Sequence, residues 1–210
     1  LNRGAIRYGQ CERAGGINDF SRVIEFNPRD ARAWNNRGRA RTDEGDLAGA
    51  IADFDQAIKL DSRNAEARGN RCGALYRQGA LDAAIADCDR ALKLDTQNAD
   101  AWNSRGLARQ GKGDLDGAIE EYSRAIAISS RLGYSKETGA DTESRIKVVS
   151  PFTANAYTNR GVARFRKRDF EGATADFNAA LRIRPALPEA YLNRAAARRE
   201  RSRAAPRSAR

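Results

Sequence analysis

The sequence of 210 residues has no histidine and no methionine, and only 7% of its residues are aromatic. Without imidazole it lacks the most common general base of enzymes and the most common metal ligand, which excludes most hydrolytic and metal-dependent chemistry. It also lacks an apolar run of the roughly 18 residues that a membrane span requires, and it shows no basic segment leading into a hydrophobic one at residue 1. We therefore expect no enzyme, no cofactor and no small-molecule substrate.

Cysteine is scarce: Cys11, Cys72 and Cys88 are odd in number, and no two of them form a Cys-x-x-Cys pair. A disulfide framework or a zinc site is therefore not expected. Cys72 and Cys88 fall within one predicted hairpin, where a redox contact stays open, but the favoured interpretation is that each cysteine fills the place of a small or apolar core residue. Free thiols favour a reducing compartment, and hence a cytoplasmic location.

An Asn-Arg-Gly triplet recurs at a fixed step and gives the strongest internal signal. Its arginine returns at a constant interval, except between Arg105 and Arg160, where the interval equals one repeat plus an insertion at 133–153. Small residues such as Gly38 and Ala50, and large ones such as Trp34 and Phe54, recur at the same step. The arginine column consists of Arg3, Arg37, Arg71, Arg105, Arg160 and Arg194.

Each repeat contains two predicted helices. Apolar residues between Leu47 and Ile58 follow one another at steps of three and four, which is the spacing of one helix face. Gly45-Asp46 marks the break between the two helices, because glycine accepts the left-handed conformation that ends a helix. Repeats end at sites such as Asn27-Pro28, where Pro, Ser or Thr stops one helix or caps the next.

This order of aromatic, small, alanine and proline residues resembles the tetratricopeptide repeat, a helix-turn-helix unit of about 34 residues. The resemblance implies an all-α fold, a right-handed superhelical solenoid. Its hairpins are too short to be stable alone and bury their apolar faces by stacking, with the first helices on the concave side. Arg68 in the aromatic column, and Ser62, Thr96 and Ser130 at the repeat ends, depart from the family pattern.

We expect a single solenoid over residues 1–201. Residue 1 falls inside a helix of a repeat, so we expect the natural polypeptide to extend further upstream, which leaves a periplasmic location open. The predicted segments are a partial repeat at 1–30, repeats at 31–64, 65–98, 99–132 and 154–187, an inserted loop at 133–153, a capping helix at 188–201 and an Arg-rich tail at 202–210.

The arginine column falls where the family places leucine, so a charged group enters a partly buried layer. An acidic column on the second helices keeps the same step, with Asp19 as its first member. We predict structural ion pairs, within one repeat or across to the next, because arginine lays its stem on apolar surface and offers a planar fork to a carboxylate. The alternative is that both columns point to water. The predicted pairs are Arg37–Asp53, Arg71–Asp87, Arg105–Glu121 and Arg160–Asp176.

An asparagine column, which starts at Asn2, directly precedes the arginines. Asparagine is a poor residue for helix interiors, because its amide competes for backbone hydrogen bonds. A row of amides can hold successive peptide groups of an extended chain, and this row resembles the asparagine ladder of the O-GlcNAc transferase superhelix. The alternative is that the amides tie one helix to the next. After Asn2 the column continues with Asn36, Asn70, Ser104, Asn159 and Asn193.

Further residues are predicted to face the same groove. A lysine and arginine clamp for a C-terminal carboxylate is not expected, because Gly69 and Gly73 stand where such a clamp needs polar side chains. The other predicted groove residues are Asn35, Arg39, Tyr76, Arg77, Asn103, Phe165 and Arg166, with Thr42, Leu107, Thr158 and Val162 beside them.

The net charge of +10 is concentrated towards the C-terminal end. Residues 154–210 hold 14 basic and five acidic side chains, whereas residues 31–153 hold 19 of each. An arginine-rich end can bind the phosphates of nucleic acid or of an anionic membrane. No nucleic-acid motif accompanies it, and a solvated end is the favoured interpretation. The predicted basic patch is Arg194, Arg198, Arg199, Arg201 and Arg203.

The sequence therefore predicts a non-catalytic protein-protein interaction scaffold that binds an extended peptide or partner segment in its concave groove. A preformed groove favours this function, because it lowers the cost of fixing an extended chain. An adaptor for an anionic surface, which acts through the basic C-terminal third, is the alternative.

Overall fold

A computed structural model describes residues 16–132 and 151–204, and within these ranges the chain is helical apart from short turns. These ranges contain no strand, so the predicted all-α fold is confirmed. None of their helices combines the length and the apolar character that a membrane crossing requires. The helices are α1 (residues 16–26), α2 (Ala31–Glu44), α3 (Leu47–Leu60), α4 (Ala65–Gln78), α5 (Leu81–Leu94), α6 (Ala99–Gly111), α7 (Leu115–Leu132), α8 (Pro151–Arg166), α9 (Phe170–Ile183) and α10 (Pro188–Ala204).

The chain divides into two compact units, Leu1–Ala108 and Arg109–Arg210. In the first unit α2 packs on α3, α3 on α4 and α4 on α5. In the second unit α7 packs on α8, α8 on α9 and α9 on α10. In each unit these helices, which follow one another in the sequence, are therefore neighbours in space, as in stacked hairpins.

A residue with positive φ forms the turn inside each hairpin. Gly45, Gly79 and Gly113 have φ angles of 88°, 88° and 87°, and Arg168 takes the same place with a φ of 66°. The N–H groups at and after Gly45 donate to carbonyls in the last turn of α2. The left-handed residue thus satisfies the end of the first helix and turns the chain back onto it.

Small and aromatic residues lock the two helices of a hairpin together. A Cβ atom built on Gly38 would lie 2.6 Å from Cε1 of Phe54, and one built on Gly161 would lie 2.7 Å from Cε1 of Phe177. Both phenylalanines are fully buried. The ring therefore occupies the space that the missing side chain of the glycine leaves open, and neither position can change alone without a clash or a cavity.

The hairpin of α4 and α5 uses a different pair in the same two columns. Cys72 takes the glycine place and Cys88 the aromatic place, and they form a disulfide bond with a Cα–Cα distance of 5.5 Å. The expectation of separate core thiols is therefore wrong for both residues. Cys11 lies outside the described residues. The two columns face each other across the hairpins, and this register brings the two thiols together. The inference from free thiols to a reducing compartment loses its basis.

Two predicted boundaries move by three residues. The sequence predicts an inserted loop that reaches residue 153, but α8 begins at Pro151. It predicts a capping helix that ends at residue 201, but α10 continues to Ala204. The rest of the insertion, the end of the tail and the start of the chain, with Asn2 and Arg3, lie outside the described residues.

We expect the Cys72–Cys88 disulfide to contribute about 3 kcal/mol to the free energy of unfolding, because it closes a short loop in the unfolded chain. The two cysteines are 16 residues apart. Denaturant titration of the oxidised and the reduced protein would measure this difference. The Cys11→Ser variant serves as the control, since it leaves only this pair of thiols and should show the same loss on reduction.

A second pair of variants tests the packing account of the same positions. Cys72→Gly combined with Cys88→Phe restores the pair that the other hairpins use, so its stability should not depend on reductant. Cys88→Phe alone should be less stable than the double variant, because the side chain of Cys72 then occupies the place of the ring. Equal stability of the two variants would show that the two columns do not pack as described.

Candidate functional site

The predicted arginine and carboxylate columns meet inside the hairpins. Nε and Nη2 of Arg37 donate to Oδ2 and Oδ1 of Asp53 at 2.9 and 2.7 Å. Arg160 donates in the same two-point way to Asp176, at 3.0 and 2.7 Å. The carboxylates are buried, whereas the guanidinium groups retain a small exposed fraction. The predicted pairs that the structure brings together are Arg37–Asp53, Arg71–Asp87 and Arg160–Asp176.

Each arginine also makes a second contact, which sequence analysis did not predict. The remaining nitrogen, Nη1, reaches a side chain on the second helix of the preceding repeat. Where no insertion separates two repeats, this partner lies 16 residues before the arginine. This constant spacing could have predicted the contact from the sequence. Arg37, Arg71 and Arg160 therefore each connect three helices. The partners are Ser21 for Arg37, Asp55 for Arg71, Asp89 for Arg105, Ser123 for Arg160 and Asn178 for Arg194.

The fourth predicted pair joins residues of different units. Arg105 lies in the first unit, where it bonds to Asp89. Glu121 lies in the second unit, where its Oε1 is 3.4 Å from Nε of Arg109. The pair of Arg105 with Glu121 stays a prediction.

Aromatic rings and carboxylates hold the guanidinium groups in place. The guanidinium carbon of Arg37 lies 4.8 Å from the ring centre of Trp34, and that of Arg105 lies 4.7 Å from Trp102. The pKa values of Arg37 and Arg71 are raised, chiefly by their hydrogen bonds to Asp53 and Asp87, while desolvation acts in the opposite direction. These arginines therefore remain charged and serve the structure.

The asparagine column is at least partly structural. Nδ2 of Asn70 donates to Oδ1 of Asn35 at 2.9 Å, which ties α4 to α2. Asn35 is 4% exposed and donates onward to Oε1 of Glu66 at 3.2 Å. At this position the contacts match the alternative that the amides connect helices. Ligand contacts at Asn36, Ser104, Asn159 and Asn193, which are partly exposed, stay a prediction.

In the first unit, helices α2, α4 and α6 line a cavity of about 390 Å³. Asn70, Ser104, Arg39, Tyr76 and Arg77 belong to its walls, as the sequence predicts for groove residues. Sequence analysis missed three other lining residues, which lie outside the columns that it assigns to the groove. The missed residues are Asp43, Phe54 and Asp100.

Two residues of the cavity lining have no side chain. Gly69 and Gly73 replace the larger residues that the other repeats carry in these two columns. Each glycine in a helix interior costs about 1 kcal/mol relative to alanine. The opening of the groove in this repeat therefore lowers local helix stability. The Cys72–Cys88 disulfide ties the same helix, α4, to α5.

Charged groups surround the cavity. Nη1 of Arg39 lies 3.4 Å from Oε1 of Glu66, and Nη1 of Arg77 donates to the carbonyl of Thr42 at 2.5 Å. The pKa of Asp100 is raised above its ordinary value, chiefly by desolvation, whereas the charge of Arg39 lowers it and that of Glu66 raises it. Extra positive charge near Asp100 would therefore stabilise its carboxylate.

The predicted groove residues of the second unit are mostly used in packing. Phe165 contacts Phe170 with the ring centres 5.5 Å apart and packs against the core around Phe177. Arg166 donates to the carbonyl of Gln110 at 3.4 Å. Asn103, at the end of the first unit, is 8% exposed.

The arginines of the predicted basic patch are exposed on α10, apart from the half-buried Arg194. Glu200 neutralises part of their charge, because its carboxylate lies 3.3 Å from Nε of Arg199 and 3.1 Å from Nη1 of Arg203. Arg201 lies 3.9 Å from Glu171. Of the arginines after Arg194, only Arg198 has no carboxylate partner within the described part of the chain.

We expect Asp53→Asn to lower the free energy of unfolding by about 3 kcal/mol, because it removes the buried counter-charge of Arg37 and also the carboxylate that lies 2.9 Å from Nη1 of Arg41. The double variant Asp53→Leu with Arg37→Met should recover most of this loss, since it replaces both charges of this pair with apolar groups, while the partly exposed Arg41 keeps Asp46 at 3.8 Å. Urea denaturation measures both values. A double variant no more stable than the single one would show that the arginine stabilises the stack through its other contacts.

Comparison with known proteins supports the repeat assignment. A model of the tetratricopeptide repeat matches residues 3–64, 43–99, 74–131 and 143–188. No curated protein matches the sequence significantly. Among solved structures, MamA is 25% identical over 87% of this chain and 95% of that chain, with a TM-score of 0.60.

Two further solved structures share the fold. TTC0263 of Thermus thermophilus has a TM-score of 0.68 at 19% identity, over 94% of this chain and 96% of that chain. YrrB has a TM-score of 0.59 at 18% identity, over 89% of this chain and 85% of that chain. At this level of identity the likeness concerns the stacking of helical hairpins and not the residues of the groove.

Proposed function

Because this chain belongs to the tetratricopeptide repeat family and has its solenoid fold, we propose that it binds an extended segment of a partner protein along its first helices. Proteins of this family act as scaffolds for protein-protein interaction, and the groove is the finer part of the proposal. The observation that carries it is the cavity of about 390 Å³ between α2, α4 and α6. YrrB, of the same fold, is described as having an unusual peptide-binding site.

The groove offers the groups that an extended chain requires. Ser104 and Asn70 supply hydrogen-bonding groups, while Tyr76 and Leu107 supply apolar surface beside them. The helices that carry these residues are fixed by the arginine bridges and the disulfide. A rigid groove binds a flexible segment at a lower entropic cost than a groove that must order itself on binding.

The chemistry of the groove supports binding and not catalysis. The hydroxyl group of Thr42 donates to the carbonyl of Gly38 in its own helix at 2.9 Å. Ser104 has no imidazole to accept its proton, because the sequence contains no histidine. The groove therefore offers no activated nucleophile with a recognisable base.

A library of displayed dodecapeptides tests the proposal. We expect the protein to enrich peptides whose binding weakens about tenfold in the Tyr76→Ala variant, since a buried aromatic contact of this kind contributes more than about 1 kcal/mol. Fluorescence anisotropy with the enriched peptides measures the affinity, and thermal denaturation measures the stability of the variant.

Leu60→Ala is the matched control for this experiment. Leu60 is also a large apolar residue, and it is 40% exposed at the end of the second helix α3. Its removal should leave peptide binding unchanged. Enriched peptides that bind the Tyr76 variant as tightly as the parent, but lose affinity for the Leu60 variant, would place the binding surface on the second helices and refute the proposal.

A second candidate function uses the basic patch of α10. The exposure of Arg198, Arg199, Arg201 and Arg203 favours an adaptor for nucleic acid or acidic lipid. The contacts of Glu200 with two of these arginines weaken the patch. For this reason the groove remains the better supported site.

A further inference from the structure

Two acidic residues occupy the same column in consecutive repeats. Glu66 and Asp100 are one repeat apart, and each stands in the first turn of a first helix. Glu66 is held by the preceding first helix, because its Oε1 accepts from Nδ2 of Asn35 at 3.2 Å and from Nη1 of Arg39 at 3.4 Å. The repeat thus has a built place for a carboxylate, with an amide on one side and a guanidinium on the other.

The same place around Asp100 is incomplete. One repeat after Asn35 and Arg39, the chain carries Gly69 and Gly73, which have no side chain to offer. Within residues 16–132 and 151–204, the carboxylate of Asp100 forms no hydrogen bond or ion pair, and its pKa is raised. Comparison of the two repeats therefore shows that Asp100 lacks the amide and the guanidinium that contact Glu66, and it shows where these groups would lie.

The open space of the cavity lies beside Gly73, because a Cβ atom on Gly69 would already lie 3.2 Å from Nδ2 of Asn98. A Cβ atom on Gly73 would meet only Oγ of Ser104, at 3.5 Å, so that space for a side chain begins directly at the backbone. Tyr76 and Leu107 supply apolar surface along the walls. The cavity thus combines room and apolar surface for an aliphatic stem with a carboxylate for a cation.

We infer that this cavity receives an arginine side chain from the bound segment, whose guanidinium takes, relative to Asp100, the place that Arg39 takes relative to Glu66. The inference rests on the proposed function, since it assigns the side chain that the groove selects. The guanidinium would complete in the complex a contact that the preceding repeat makes within the chain.

Charge complementarity favours this occupant over an acidic side chain. The two arginines of the cavity already have partners, because Arg39 contacts Glu66 and Arg77 donates to the carbonyl of Thr42. Asp43, like Asp100, lines the cavity and forms no ion pair with a described residue. An acidic side chain in the cavity would therefore face two carboxylates, whereas a guanidinium would meet them as counter-charges.

The direct test is a titration of the full chain with N-acetyl-arginine amide, followed by NMR. We expect the backbone amide signals of Gly69, Gly73 and Ser104 to shift saturably, and N-acetyl-lysine amide to bind more weakly because it lacks the planar fork. N-acetyl-aspartate amide should leave these signals unchanged. Stronger shifts with the aspartate compound than with the arginine compound, or no shift with either, would overturn the inference.

Two variants and two controls make the test specific. Gly73→Arg supplies the guanidinium from within the chain, and Asp100→Asn removes the counter-charge, so each should weaken binding of the arginine compound at least tenfold. Gln56→Arg and Glu120→Gln make the same charge changes at exposed positions of second helices and should leave it unchanged. Since Gly73→Arg fills an open space, thermal denaturation should show no loss of stability. Unchanged binding in either cavity variant would refute the assignment.

The library experiment separates this inference from the proposed function. If peptides bind through Tyr76 but share no basic residue, the groove binds peptides and the arginine assignment is wrong. If peptides with a common arginine lose affinity in Asp100→Asn, both stand. If no peptide binds through Tyr76, the proposed function fails, and the titration with the arginine compound still decides whether the cavity binds a guanidinium.

Discussion

The structure depends on one interaction, the bridge from an arginine of a first helix to two second helices, which Arg37, Arg71 and Arg160 form. A hairpin of two 14-residue helices, such as α2 with α3, buries too little apolar surface to be stable alone, so the repeats must stack. The arginine holds the carboxylate of its own hairpin with two nitrogens and the preceding hairpin with the third, as Arg37 does with Asp53 and Ser21. Such bridges add less to stability than an apolar pair of equal size would, but they fix the register between neighbours.

The repeat step was enough to predict most of the fold from the sequence. A constant spacing between repeats, together with steps of three and four within each repeat, places the helices. A second column, 16 residues after the arginine column, places the carboxylate that faces Arg37, Arg71 and Arg160. The odd number of cysteines does not predict the disulfide, whereas the columns in which Cys72 and Cys88 stand do. Cys72 and Cys88 stand where Gly38 and Phe54 stand one repeat earlier, which already implied contact.

The candidate site was harder to predict, because its key residues break the pattern. A search for repeated columns finds Asn70 and Ser104, but Asn70 is engaged with Asn35. In the sequence, Gly69 and Gly73 indicate only that a carboxylate clamp is absent. The contacts of Glu66 show what these glycines remove, namely the amide and the guanidinium that the preceding repeat offers to its carboxylate. At Gly73 this removal leaves open space in the cavity that Asp100 also lines. A contact that all repeats make can be predicted from the repeated residues in the sequence. A contact that one repeat has lost can be recognised only when the structure shows that contact in another repeat.

The charge distribution is consistent with a basic side chain in this groove, although the chain as a whole is strongly basic. Its net charge is +10, yet residues 31–108, which contain the cavity, carry twelve basic and twelve acidic side chains. The part of the chain that forms the groove therefore contributes no net charge that repels an arginine. Inside the cavity the local balance is more favourable still, since Arg39 is paired with Glu66 while Asp43 and Asp100 form no ion pair among the described residues. Exposed charges act over about one Debye length, roughly 8 Å at physiological ionic strength, so this local balance and not the total charge decides which side chain the groove accepts.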